Sequence, residues 1–196
     1  MEFINNVNKT LKDDLLTTLR SGSKVAIAAS CFSIYAFQEL KEQLADIDEL
    51  RFIFTSPSFT TERQEKQKRE FYIPRLNRER DLYGSEFEIK LRNELSLKAV
   101  SKECAEWIRQ KVCFKSNRTN AGMPPMIAVD DTAYALSNPT GFTTVELGCE
   151  RGNNIATAIT KIEAPFSAQY IQMFNQIWND SRQLQDLLVK VIQNVY

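Results

Sequence analysis

The stretch Val25-Ala26-Ile27-Ala28-Ala29 is an uninterrupted apolar run, which predicts a β-strand buried on both faces. A second apolar run extends from Leu50 to Thr55. Between the two runs, residues 33–44 have apolar side chains at helical spacing, and Ser33 is a candidate cap for that helix. A strand, a helix and a strand of these lengths predict a right-handed βαβ crossover with parallel strands. The fold class that we expect is therefore α/β.

The flanking sequence predicts further helices and strands. Thr10 is a candidate cap for a leucine-rich helix that ends before Gly22. Met126–Val129 and Ala133–Leu136 bracket Asp130-Asp131, which suits a β-hairpin. The other predicted strands are Val112–Lys115, Phe142–Leu147 and Ile155–Ile162, and the other predicted helices cover 86–111 in two pieces, 166–177 and 184–195. We expect an α/β domain over residues 1–165 and a C-terminal helical extension over residues 166–196.

The chain contains no histidine, so imidazole is excluded as a base, a nucleophile and a metal ligand. A Ser-His-Asp triad, a Cys-His pair and a His-ligated zinc site are therefore excluded for this chain acting alone. Enzymatic hypotheses must use carboxylates, Lys, Tyr, Cys or a carboxylate-bound metal. Most of the sequence instead favours a binding module.

Charge and hydropathy set no strong preference for a partner. The 25 Lys and Arg residues balance the 25 Asp and Glu residues. No segment approaches the roughly 20 apolar residues of a membrane span, and no export signal is visible, so we expect a cytoplasmic protein. The scattered cysteines are typical of buried free thiols, and the three aromatic residues on apolar helical faces are expected in the core. These are Cys31, Cys104, Cys113 and Cys149, and Trp107, Phe166 and Trp178.

A basic stretch with interleaved aromatic residues is the best candidate for binding nucleic acid. Lys and Arg neutralise phosphates, and exposed aromatic rings can stack on bases. The alternative is an ordinary solvated surface in which Phe71 and Tyr72 pack inward. The candidate residues are Arg63, Lys66, Lys68, Arg69, Arg75, Arg78 and Arg80, with Lys115 and Arg118 from a second basic set that fits a helix surface better than a groove.

Asp81, Glu86, Glu88 and Lys90 indicate a different possibility, a metal-dependent nuclease. Two carboxylates can hold magnesium together with a substrate phosphate, and a Lys can serve the attacking water. That arrangement needs Glu88 and Lys90 on a strand, where alternate residues face the same way. The apolar spacing around them favours a helix, on which residues two apart diverge by about 200°.

Several long blocks resemble a known group of proteins. They are Arg69–Pro74, Leu76–Arg80, Leu82–Leu95, Lys102–Ile108, Gly141–Gly148 and Phe174-x-x-Ile177-Trp178-Asn179. Together they resemble the N-terminal region of bacterial Swi/Snf-type superfamily-two helicases, in which a phospholipase D-like domain precedes an ATP-driven motor. The resemblance extends from about Lys24 onward. It implies a phospholipase D-like sandwich with a mixed, largely parallel-core sheet flanked by helices.

Phospholipase D-like enzymes use a His-x-Lys-x4-Asp motif, in which His attacks the phosphodiester and Lys neutralises its charge. The resemblance locates this motif around Met123 to Asp131, where neither the His nor the Lys is present. Asp130 or Asp131 can occupy the Asp position, but an isolated carboxylate cannot perform covalent phosphotransfer. Ser137, Asn138 and Thr143 are similar to the polar segment that follows the motif. The resemblance therefore implies an erased nuclease site.

The resemblance implies a non-catalytic domain that binds DNA or another partner beside its own helicase motor. The chain lacks a Gly-x4-Gly-Lys-Ser/Thr loop, so we expect no cofactor here, and ATP and magnesium only in a motor beyond Tyr196. Two alternatives stay open: the metal-dependent nuclease, and a protein-protein scaffold that self-associates through the apolar stripe at 184–195. No membrane partner is expected.

Overall fold

A computed structural model of the protein describes residues 1–55, 71–72, 98–117, 122–138, 141–149 and 157–183. Within these ranges the chain has a mixed α/β fold, with helices flanking an eight-stranded sheet. The strands are β1 Glu2–Ile4, β2 Lys24–Ala29, β3 Cys31–Phe32, β4 Glu49–Phe54, β5 Phe71–Tyr72, β6 Val112–Ser116, β7 Met126–Val129, β8 Thr132–Ala135, β9 Gly141–Phe142, β10 Ile159–Ile162 and β11 Arg182–Gln183. The helices are α1 Leu11–Thr18, α2 Ile34–Glu39, α3 Lys41–Ala45, α4 Lys98–Lys111 and α5 Ala168–Asn179.

The large sheet has the strand order β1-β10-β8-β7-β2-β4-β6-β11. Its adjacent strands β2, β4 and β6 are parallel, with Val25 opposite Leu50 and Leu50 opposite Val112. The other pairings in this sheet are antiparallel. The predicted parallel pairing of the two apolar runs, with a helix between them, is confirmed, and so is the α/β class.

The predicted helix caps are also confirmed. The Thr10 hydroxyl accepts a hydrogen bond from the Asp13 amide at 3.0 Å, and the Asp13 carboxylate accepts one from the Thr10 amide. The Ser33 hydroxyl accepts from the Ala36 amide at 3.3 Å. These bonds satisfy amides that have no partner inside the helix, and they fix where α1 and α2 begin.

One face of the sheet packs against residues of α1, α2, α3 and α4. Phenylalanines from three strands meet there, and the ring centroids of Phe32 and Phe52 are 5.6 Å apart in an edge-to-face arrangement. The Phe114 ring lies 5.4 Å from each of them. Trp107 packs in this core, as predicted, and its indole N–H donates to the Leu44 carbonyl at 2.8 Å.

The opposite face packs against α5, through Phe174, Ile177 and Trp178. The small residues Ala26 and Ala28 of β2 line this face and leave room for the helix. After α5, the chain adds β11 to the edge of the sheet beside β6. The described part of the predicted extension thus contacts the sheet, and the division at residue 165 stays a prediction.

Other details of the sequence interpretation need correction. The hairpin around Asp130-Asp131 is present, but the strand predicted over Phe142–Leu147 is wrong beyond Phe142. Residues 143–148 form turns that bury Leu147, so apolar composition there reflects burial without strand structure. Phe166 precedes α5 and is 75% exposed, which contradicts its predicted place in the core.

Two further predictions differ in extent. The strand predicted over Ile155–Ile162 is described as Ile159–Ile162, and the helical segments predicted over 86–97 and 184–195 lie outside the described residues. Among the described helices, none combines the length and the apolar character needed to cross a membrane.

Candidate nucleic-acid interface

The carboxyl ends of β2, β4 and β6 form one edge of the sheet, and buried polar side chains follow each of them. These are Ser30, Thr55 and Asn117. The backbone pairing continues past the strands, because the Thr55 amide donates to Ala29 at 2.9 Å and the Asn117 amide donates to Phe54 at 3.0 Å. In α/β folds this edge is where ligands usually bind. We call it the carboxyl edge.

A second sheet, with the order β5-β3-β9, lies at the carboxyl edge. Its central strand β3 follows directly from β2, and pairs with Gly141–Phe142 in parallel and with Phe71–Tyr72 antiparallel. Gly141 has a φ of +78°, and an added Cβ would lie 2.3 Å from the Ala29 Cβ. Glycine is therefore required for β9 to approach the end of β2.

This small sheet contains part of the predicted basic stretch. Arg63, Lys66, Lys68, Arg69, Arg75, Arg78, Arg80 and Arg118 lie outside the described residues. Phe71–Tyr72 belongs to that stretch and is described, as β5. The two described residues of the basic stretch therefore lie in the small sheet at the carboxyl edge.

Met123, Pro125 and Asp130 have the spacing of the His, Lys and Asp of the phospholipase D motif. Met123 is buried at 8% exposure among the residues that pack under α5. Pro125 has no side-chain donor, and its carbonyl accepts from the Leu136 amide at 3.1 Å. A thioether and a pyrrolidine ring provide neither a nucleophile nor a positive charge at these two positions.

Asp130 and Asp131 lie at the opposite end of β7 from Met123. The separation is at least the length of β7, about 13 Å at 3.3 Å per residue. The Asp130 carboxylate accepts from the Ser23 hydroxyl at 2.8 Å and from the Lys24 amide at 2.9 Å, and its φ is +53°. The Asp131 carbonyl accepts a hydrogen bond from the Ser167 hydroxyl. In this structure both residues stabilise the hairpin turn.

Residues 123–143 are the region that the resemblance compares with the phospholipase D motif and the segment after it, and we call them the degenerate motif region. Its other three candidate residues lie at the carboxyl edge. Ser137 and Asn138 follow β8, and the Ser137 hydroxyl accepts from the Ala158 amide at 3.3 Å. Thr143 follows β9, is buried, and accepts from the Glu146 amide at 3.1 Å. The structure thus separates the motif region into two groups, one at each end of the sheet.

Lys115 has an intramolecular role that the sequence did not indicate. Its ammonium donates to the Trp178 carbonyl at 2.9 Å and lies 4.6 Å from the centroid of the Trp178 ring. This contact supplies a positive charge at the C-terminal end of α5, where the helix dipole is negative. Binding of nucleic acid by Lys115 stays a prediction.

Arg51 was missed because it lies inside an apolar strand. Its guanidinium carbon is 5.2 Å from the centroid of Phe174 and 5.7 Å from that of Trp178. The same group donates to the Asn175 side chain at 2.9 Å. The sequence signal was an arginine in a strand together with two aromatic residues four apart on a helix.

A buried ionic cluster around Asp14 was also missed. Its carboxylate lies 2.6 Å from the Lys9 ammonium and 3.0 Å from that of Lys161, and accepts a hydrogen bond from the Tyr134 hydroxyl. Burial alone would raise the pKa of Asp14, but the hydrogen bonds from Lys9, Tyr134 and Lys161 hold it below its ordinary value. Burial, reinforced by the bond to Asp14, raises the pKa of Tyr134. The cluster joins α1 to β8 and β10 and has a structural role.

The cysteines do not all fit the predicted burial. Cys31 and Cys104 are buried, and burial raises the pKa of the Cys104 thiol. Cys113 is half-buried, and burial raises its pKa too. Cys149 is exposed, because it follows the turn at Gly148 and does not lie in the core. The prediction is therefore wrong for Cys149.

Comparison with known proteins gives similarity to solved structures only. No protein-family profile and no curated protein matches the chain. The chain is similar to the crystal structure of Nuc, a phospholipase D family member from Salmonella typhimurium, with 14% identity and a TM-score of 0.47 over 86% of each chain. It is also similar to TrmBL2, an archaeal chromatin protein with a novel mode of DNA binding, with 8% identity and a TM-score of 0.45 over 93% of this chain and 53% of that one.

Proposed function

We propose that this chain is a DNA-binding domain that does not cleave phosphodiesters and acts beside a helicase motor. The observation that carries the proposal is the pairing of β5, β3 and β9 at the carboxyl edge. This pairing joins Phe71–Tyr72 of the basic stretch to Gly141–Phe142 of the degenerate motif region. A strand of DNA that contacts the basic stretch would then pass over the edge at which α/β folds usually bind ligands.

The distribution of charge supports the same surface. Residues 63–80 contain seven Lys or Arg and three Glu, whereas the described residues contain 13 Lys or Arg and 15 Asp or Glu. Among the described cations, Lys9, Lys12, Lys41 and Arg109 each form an ion pair. Neutralisation of several phosphates would therefore depend mainly on the basic stretch.

The residues at the motif positions support binding without cleavage. Met123 is buried where the motif has its nucleophile, and Pro125 replaces the cation that would neutralise the phosphate. Asp130 is engaged in the hairpin turn at the other end of β7. Covalent phosphotransfer requires a nucleophile, an adjacent activating group and charge stabilisation together.

The role beside a motor rests on the sequence resemblance to Swi/Snf-type helicases. A domain that holds DNA raises the effective concentration of a linked motor on its substrate, without any new chemistry. ATP and magnesium would be required by that motor alone. Sequencing the gene beyond the codon for Tyr196 tests this part, since a P-loop ATPase there is expected and its absence would refute it.

Salt-dependent binding tests the DNA interface. The logarithm of affinity for duplex DNA should fall with the logarithm of salt by about 0.9 per phosphate contacted. Reversing the charge of Arg75, Arg78 and Arg80 together should lower the slope by roughly 2 to 3 and the affinity by about 100-fold or more. The matched control reverses Arg20, Lys24 and Arg109, three exposed cations close in the chain to the amino ends of β2 and β6, and should retain most of the slope. Equal effects of the two triple variants would contradict the proposed interface.

A cleavage assay tests the absence of chemistry. The purified chain is incubated with supercoiled plasmid and with single-stranded DNA, with and without magnesium, and no strand scission is expected. Magnesium-dependent scission that Glu88→Ala abolishes would replace the proposal by the metal-dependent nuclease. DNA binding in the salt titration together with intact plasmid is the result that supports it.

A further inference from the structure

The surface of α5 and of the turn before it is unusual in its charge. Residues 164–179 contain no charged side chain, although 26% of the chain is charged. The exposed side chains of α5 include the amides of Gln169, Gln172, Gln176 and Asn179. A solvent-facing helix surface normally carries charges, whereas the centres of protein interfaces are depleted of them. We call residues 164–179 the uncharged face.

The uncharged face carries both a projection and a groove. Phe166 is 75% exposed in the turn before α5. Beside it lies an open groove of about 440 Å³, whose walls include Ala164, Ala168 and Ile171. Among the described residues that line the groove, Asp131 is the one charged side chain. When two identical surfaces face each other, the exposed ring of each copy can occupy the groove of the other.

We propose that the uncharged face docks on the same face of a second copy of this chain. In a two-fold symmetric interface, residues near the axis meet their own copies. A charged residue would there face a like charge, but an amide has both a donor and an acceptor and can bond to its copy. Phe166 of each copy enters the groove of the other, which removes both exposed apolar surfaces from water.

The small size of the surface favours a weak association. Stable interfaces bury about 1,200–2,000 Å² in total, and one helix face with one turn lies at the low end of that range or below it. We therefore expect a reversible dimer, with a dissociation constant of about 1–100 μM. This inference is independent of the proposed DNA interface, which lies at the carboxyl edge.

Sedimentation velocity of the full chain over about 1–500 μM, without nucleic acid, tests the proposal. We expect the mean mass to rise from the 22.6 kDa of one chain toward twice that value. Gln172 lies midway along the uncharged face and lines the groove, so a symmetric interface brings the two copies of this residue close together. Gln172→Arg should therefore weaken association at least tenfold. Gln38→Arg is the matched control, since Gln38 is an exposed glutamine on α2, and it should leave association unchanged.

Two further variants make the test specific to self-docking. Phe166→Ser should weaken association without loss of folding, because the side chain is exposed in the monomer. Mixing Gln172→Arg with Gln172→Glu should restore association that neither variant shows alone. A monomer at every concentration, or a dimer that Gln172→Arg and Phe166→Ser both leave intact, would overturn the proposal.

Discussion

Gly141 lies so close to Ala29 that an added Cβ would be 2.3 Å from the Cβ of that alanine. Gly141→Ala would therefore push β9 away from the end of β2, and would also place alanine at a φ of +78°. We expect a loss of about 2–4 kcal/mol in the free energy of unfolding, measured by denaturant titration. The same variant should weaken DNA binding, because β9 pairs with β3 in the small sheet.

Gly22 provides the control for that prediction. Its φ is +81°, but a Cβ there would meet no atom within 4 Å. Gly22→Ala should lower the free energy of unfolding only by the cost of a left-handed backbone, about 1 kcal/mol, and should leave DNA binding unchanged. Equal losses for the two variants would show that the contact with Ala29 does not constrain β9.

The fold could be predicted where the sequence has length and periodicity. The two apolar runs beginning at Val25 and Leu50 gave the parallel strands, and Thr10 and Ser33 gave the helix starts. The strands β1, β3, β5, β9 and β11 have only two or three residues, too few for any pattern to show. The small sheet at the carboxyl edge was therefore not predictable. The sequence does single out two of the segments that it joins, since Phe71–Tyr72 belongs to the basic stretch and Gly141–Phe142 to one of the blocks that carry the resemblance.

Protonation of Asp14 should destabilise the protein. The pKa of Asp14 is lowered in the folded state, so its stabilising effect is complete above the unfolded value of about 3.9 and is lost as the pH falls through the folded value. Asp14→Asn should reduce the free energy of unfolding at pH 7 by about 3 kcal/mol, because it leaves two lysines without their shared carboxylate.

The measurement is urea unfolding between pH 3 and pH 7. Stability of the unmodified chain should fall as the pH drops through the acid range, and that of Asp14→Asn should fall less steeply. Glu42→Gln, at an exposed position on α3, should change stability by less than about 0.5 kcal/mol and keep the acid dependence. An Asp14→Asn curve parallel to that of the unmodified chain would show that the carboxylate does not titrate differently in the folded state.

Parts of the candidate site could be predicted and parts could not. The absence of His and Lys from residues 123–131 is visible without any structure. The separation of Asp130 from Ser137 and Asn138 depends on strand direction, which places them at opposite ends of the sheet. The hydrogen bond from Lys115 to the Trp178 carbonyl of α5 joins residues that are 63 positions apart. Such long-range contacts leave no local trace in a single sequence.

The cysteines should differ sharply in reactivity. Exposed Cys149 should react with a maleimide at least about 100-fold faster than buried Cys104, because the Cys104 thiol becomes accessible only through local unfolding. Mass spectrometry of the native chain should therefore show one early adduct, and all four thiols should react in denaturant. Cys149→Ser should remove the early adduct, and its persistence would contradict the exposure of that side chain.

Removing the charge of Lys115 should loosen the contact between α5 and the sheet. Lys115→Met keeps most of the aliphatic chain but loses the hydrogen bond to the Trp178 carbonyl and the cation over the Trp178 ring. We expect a loss of about 1–2 kcal/mol in the free energy of unfolding, with a change in tryptophan emission. Lys24→Met is the control, since Lys24 is exposed and lies 3.9 Å from Asp48, and it should lose less than about 0.5 kcal/mol. If Lys115 also contacts phosphate, the salt slope of DNA binding falls by about one in Lys115→Met, and an unchanged slope with reduced stability would limit Lys115 to its structural role.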